Sequence, residues 1–229
     1  MEKGANIEAM TTSHGATPLD SAAWNGHADV VGLLLEKGAN IEAMTTCDGA
    51  TPLDSAAWNG HADVVRLLLE KGANIEAMRR GDGSRPLYNA SWRGHVGIVC
   101  LLLEMGANIE SIRIDDGRTA LHTVAWYLQA EVVRLLLENG ANIHATSKKA
   151  ATALHYVFLD PIASHGFKDS KQLIPTITVL LAYGANILQN DNMGKTPLDL
   201  AEAGGHLEAK QLFRQHLKER NLKPPRKFR

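Results

Sequence analysis

Apolar positions along this chain fall into two alternating helical patterns. From Pro18 to Gly26, Leu19, Ala22 and Ala23 lie at i, i+3 and i+4, which marks one inward face of a short helix. Proline suits its first turn and glycine its end. A second run, ADVVGLLLEKG, starts near Asp29, stops at Gly38 and is predicted to turn Val30, Val31, Leu33, Leu34 and Leu35 inward. The next segment, ANIEAMTTSHGA, is polar and turn-rich. The predicted unit is therefore helix, turn, helix and a projecting turn or hairpin.

The unit recurs. Thr17, Thr51, Arg85 and Thr119 occupy one slot at intervals of 34 residues; the next intervals, to Thr152 and Thr196, are 33 and 44. A fixed period in this range predicts a solenoid. The first two full units differ at three of 34 positions, where Ser13, His14 and Gly32 become Cys47, Asp48 and Arg66. The pattern is carried by TPLDSAAWNGHADVV with LLLEKGAN, then RPLYNASWRGHVGIV with LLLEMGAN, TALHTVAW with VVRLLLENGAN, and TPLDLAEAGGH. On these motifs the chain resembles the ankyrin-repeat family over almost its whole length. The resemblance implies an all-α solenoid of stacked helix-turn-helix units with β-hairpin fingers, and a protein held on the concave face.

The expected boundaries are residues 1–10, the tail of a preceding repeat; repeats at 11–44, 45–78, 79–112 and 113–146; a fifth at 147–190 with a loop inserted at about 160–172; a capping repeat at 191–216; and a basic tail at 217–229 without fixed structure. Glu2–Met10 repeats Glu36–Met44 letter for letter. The chain is accordingly expected to be a piece of a longer, eukaryote-like array whose first full repeat lacks a polar cap. Its outer apolar face becomes a candidate for partner contact or self-association.

All four tryptophans occupy one slot, four residues after Asp20, Asp54, Tyr88 and His122: these are Trp24, Trp58, Trp92 and Trp126. The resemblance places this slot and the next one, Asn25, Asn59, Arg93 and Tyr127, on the concave face. Helices packed about 8–10 Å apart predict rings standing as separate platforms, beyond the roughly 4.5–7 Å of ring contact. The rings either touch a ligand or cover the helix pair. Charge gathers at the finger tips, in Asp48, Arg79, Arg80, Asp82, Arg85, Arg113, Asp115, Asp116 and Arg118. The candidate partner-binding set is Trp58, Tyr88, Trp92, Arg93, Trp126, Tyr127, Asp82, Arg85, Asp116 and Arg118, an aromatic centre with a charged border.

Composition adds bounds. A formal charge of −1 gives no global pull toward nucleic acid or membrane, since the basic tail carries +5 against −6 in the body; only the tail suggests nucleic acid. Cys47 and Cys100 are poorly spaced for a disulfide, and no leader or spanning segment is read, so the cytoplasm is the expected compartment, with the nucleus as the other. His27, His61, His95 and His206 fill the family's turn slot; His122 and His155 fill the slot whose ring, in the family, ties hairpin to helix. No phosphate loop, nucleophile elbow or metal-ligand spacing occurs, so no catalytic residue, metal or cofactor is assigned. The expected function is a non-enzymatic scaffold for a protein or peptide. The alternative is an enzyme or small-molecule binder with a pocket near Tyr88, His122 and His155.

Overall fold

A computed structural model describes residues 6–159 and 170–220. The expected inserted loop, the end of the basic tail and the first five residues fall wholly or largely outside them. The chain divides after Asp115 into two compact units.

The first unit holds α1 (Pro18–Asn25), α2 (Ala28–Glu36), α3 (Pro52–Asn59), α4 (Ala62–Glu70), α5 (Pro86–Arg93) and α6 (Val96–Glu104). Helices α1, α3 and α5 pack in one row and α2, α4 and α6 in a second. Local sequence sets each end. Thr17 Oγ1 accepts the Asp20 N–H, proline opens the first turn, and Gly26 closes the helix in the left-handed region at φ 76°. The polar motif after each second helix clamps successive repeats. Glu8, Glu42 and Glu76 accept the backbone N–H groups of Asn40, Asn74 and Asn108 at 2.8, 2.7 and 2.7 Å. The same asparagines cap their own turns by accepting an N–H two residues on, as Asn40 Oδ1 does from Glu42 at 3.0 Å.

The fingers are hydrogen-bonded turns without regular strands among the described residues. Thr45 N–H donates to Ala50 O at 2.9 Å, and one rung, Thr46 N–H to His14 O at 3.1 Å, joins neighbouring fingers. A segment this short closes its turn without room for a ladder.

Burial departs from the expected inward face in the first repeat. Val64 and Leu68 of α4 are fully buried, whereas Val30 and Leu33 of α2 are 40% and 55% exposed and only Val31 of that helix is buried. Helix α2 covers α4; no described helix covers the other side of α2.

The second unit holds α7 (Ala120–Trp126), α8 (Ala130–Glu138), α9 (Ala153–Tyr156), α10 (Ser170–Ala182), α11 (Pro197–Ala203) and α12 (Leu207–Glu219). Helices α8, α10 and α12 form one row beside the row of α7, α9 and α11. Pro175 lies inside α10. Leu128 stands at φ 58° where earlier repeats have glycine, and Ala150 at φ 53° closes the finger that is one residue shorter. Helix α12 runs past the expected tail boundary at 217 to Glu219, with Phe213 fully buried. Among the described residues, no helix is long and apolar enough to cross a membrane.

Candidate partner-binding face

The backbone carrying Trp24 and Trp58 is fixed from the next repeat. His61 Nε2 meets Trp24 O at 2.9 Å, and His95 Nε2 meets Trp58 O at 3.0 Å. This explains the glycine that ends the preceding tryptophan helix, Gly26 beneath the His61 ring and Gly60 beneath that of His95. A Cβ on Gly60 would lie 2.8 Å from the His95 ring, so the tie requires glycine for space as well as for its φ of 88°.

In the first unit the rings are in contact, contrary to the expectation of separate platforms. Trp58 and Trp92 meet edge to face with centroids 4.9 Å apart, and Tyr88 lies 6.5 Å from Trp92. The spacing of helix axes misleads here because indole side chains are long enough to lean across it. Arginines complete the cluster: Arg93 and Arg79 lie 5.2 and 5.9 Å from the Trp58 centroid, and Arg113 lies 5.2 Å from that of Tyr88. Arg79 is paired with Asp48, and Arg113 with Asp115 and, at 3.3 Å, with Asp82. Burial pushes the Asp82 carboxyl up, but hydrogen bonds from Ser84 together with Arg113 and Arg79 hold it below the usual carboxylate range.

The candidate residues thus divide by position. Trp58 and Trp92 are half-buried and Arg93 is exposed. Tyr88 is buried, its hydroxyl accepting from Arg113 at 3.1 Å. Arg85 donates to Ile112 O at 3.1 Å and pairs with Glu76 at 3.2 Å, bracing the finger. Arg79 and Arg113 belong to the cluster although periodicity did not single them out.

In the second unit, Trp126 and Tyr127 are half-buried with centroids 5.7 Å apart. Arg118 is buried, 4.3 Å over Trp126 and 5.8 Å from Tyr156, and its Nε pairs with Asp116 at 2.5 Å. Tyr156, which no repeat slot pointed to, packs 6.1 Å from Trp126. Its signal was only an aromatic directly after His155.

The slot four residues before each tryptophan is structural, with chemistry set by side-chain length. His122 Nδ1 accepts the Thr119 N–H at 3.2 Å, and its Nε2 donates to Ala145 O and Ala151 O of the following finger, both at 3.1 Å. His155 does the same with Thr152, Gln189 O and Lys195 O. Both nitrogens of each ring are committed to backbone, which leaves neither for proton transfer. Burial pushes His122 down to about 4 and His155 in the same direction, against the carbonyl hydrogen bonds. Aspartate is too short for the finger and is held instead by the next helix. Ser55 Oγ donates to Asp20 Oδ1 at 2.6 Å, and Asn89 Nδ2 to Asp54 Oδ1 at 3.1 Å. Burial raises the Asp54 carboxyl to about 7 despite hydrogen bonds from Thr51 and Asn89.

A cleft of 410 Å³ in the first unit is lined by Thr11, Asp20, Trp24 and Asp48 among others; Tyr88, His122 and His155 do not line it. Among the described residues, no group of three His, Cys, Asp or Glu side chains is placed to hold a metal ion.

A sequence model described as ankyrin repeats (3 copies) matches residues 1–79, 44–113 and 78–147. Comparison with curated proteins gives no significant match. Among solved structures, the chain is similar to the ankyrin repeat domain of Bcl-3, described as a unique member of the IkappaB protein family. The likeness has a TM-score of 0.72 and 27% identity, covering 85% of this chain and 81% of that one.

Proposed function

We propose, from the premise that the chain belongs to the ankyrin-repeat family, that it is a non-enzymatic interaction module whose tryptophan–arginine face receives a protein or peptide. The observation that carries this reading is the cluster of exposed Arg93 on half-buried Trp58, itself in contact with Trp92 at 4.9 Å. Tryptophan and arginine are the residue types most enriched at binding hot spots, and ring-stacked guanidinium groups reach a partner already ordered. Asp82, Arg85 and Tyr88 act behind this surface, holding the finger and Arg113 in place. In the second unit, Trp126 and Tyr127 offer the corresponding aromatic surface, with Asp116 and Arg118 bracing it.

The test is quantitative affinity capture from cell lysate with Trp58→Ala and Trp92→Ala, beside Arg66→Ala on the exposed side of α4 as a control. Each tryptophan variant should weaken capture of the same protein by about 30-fold, the size of a hot-spot loss. Arg66→Ala should leave it unchanged. Undiminished capture by tryptophan variants of wild-type helicity would refute the assignment.

A further inference from the structure

Among the described residues, Trp24 lacks a contact that Trp58, its equivalent one repeat later, makes. Trp58 carries Arg79 and Arg93, Tyr88 carries Arg113, and Trp126 carries Arg118. One repeat before Arg79 and Arg93 stand Thr45 and Asn59, and no cation lies over Trp24 among the described residues. Trp24 is 49% exposed. Because the first two repeats differ at three of 34 positions, the local frame around Trp24 is that of Trp58, and the difference lies in what the following repeat supplies.

The same place offers a negative group. Asp20 is 4% exposed and lines the 410 Å³ cleft beside Trp24. Its Oδ1 accepts from Ser55 at 2.6 Å. In the equivalent residues Asp54 and Asp199 the other oxygen accepts the N–H of the capping threonine, at 3.4 and 2.9 Å. Asp20 Oδ2 has no such partner among the described residues. Asp48 also lines the cleft, but Arg79 and the Thr45 hydroxyl already engage its carboxylate. The cleft is of a size that encloses small ligands.

We propose that this cleft takes the guanidinium of an arginine side chain on the bound protein, stacked on Trp24 and paired with Asp20. The inference rests on the reading that this face receives a protein, and it names the chemistry of one contact. Arginine is favoured over lysine because Trp58 and Trp126 each carry a guanidinium that also pairs with a carboxylate, Arg79 with Asp48 and Arg118 with Asp116.

The experiment uses the whole chain labelled with ¹⁵N at tryptophan, giving one indole signal for each ring, with that of Trp24 assigned by Trp24→Phe. The probes are N-acetyl-arginine amide and its neutral isostere N-acetyl-citrulline amide. The Trp24 signal should move saturably with the arginine probe, and about fivefold more weakly with citrulline, while the Trp58 and Trp126 signals stay in place. Asp20→Asn should weaken the response about fivefold. Asn59→Arg, which supplies the residue that repeat 3 has at Arg93, should fill the slot from within and abolish the response. A Trp24 signal that does not move, moves equally with citrulline, or responds equally in Asp20→Asn and Asn59→Arg would overturn the proposal. No protein partner enters this titration, so its outcome is separable from the capture experiment.

Discussion

Replacing His122 with alanine is expected to lower the unfolding free energy by about 3–5 kcal/mol, the largest loss foreseen for any single side chain here. The ring is fully buried, and its removal leaves the Thr119 N–H and the Ala145 and Ala151 carbonyls without the partner they share. Each buried polar group left unsatisfied costs about 1–3 kcal/mol, and the void adds to that. The loss carries a pH signature. The folded ring titrates at about 4, below the ordinary 6.5, because burial disfavours its charge. Between these values the unfolded chain binds more protons than the folded one, so stability falls as pH falls. The contribution is complete above 6.5 and declines by about 3 kcal/mol on reaching 4. Asp54 acts in the opposite direction, since its folded carboxyl is raised to about 7 from 3.8; its contribution is lost as pH rises across that interval. Urea unfolding of wild type and His122→Ala at pH 7.5 and pH 4.5 separates the two, because the Asp54 effect cancels in the difference. The gap between the proteins should be wide at pH 7.5 and narrow at pH 4.5. A gap independent of pH would show that the ring is not held neutral.

The second large effect is positional and uses the near identity of the first two repeats. Leu68→Ala should cost about 2–5 kcal/mol, the range for a leucine removed from a close-packed core. Leu34→Ala, the same residue one repeat earlier, should cost about 1 kcal/mol. Leu68 is fully buried beneath α2, while Leu34 is half-buried beside the exposed Val30 and Leu33. Equal losses in parallel denaturant titrations would mean that something covers the outer face of α2 in solution.

Much of this arrangement is legible in the sequence because the repeat is so regular. The Pro18 and Gly26 positions set the first helix, and the 34-residue interval puts every tryptophan in one slot. Periodicity gives the row a residue belongs to but not where its side chain leans, so it does not reveal the contact between Trp58 and Trp92. Pairing between the finger arginines and the rings was also hidden. Arg113 reaches Tyr88 25 residues earlier, and nothing in a charge run distinguishes a solvated arginine from one lying on a ring. Arg118 looked like part of a charged border and is instead buried between Asp116 and Trp126. The five apolar positions of α2 illustrate the same limit, because sequence sets an apolar stripe while burial depends on what packs against it.

The central claim is that a partner protein sits on the tryptophan–arginine face. Its most direct test is hydroxyl-radical footprinting, read by mass spectrometry, of the free chain and of the complex with a protein recovered by affinity capture. Oxidation of Trp58 and Trp92 should fall several-fold on complex formation, while Val30 and Leu33 of α2 react as in the free chain. Tryptophans that oxidise equally fast in the complex, with protection confined to other surfaces, would contradict the account.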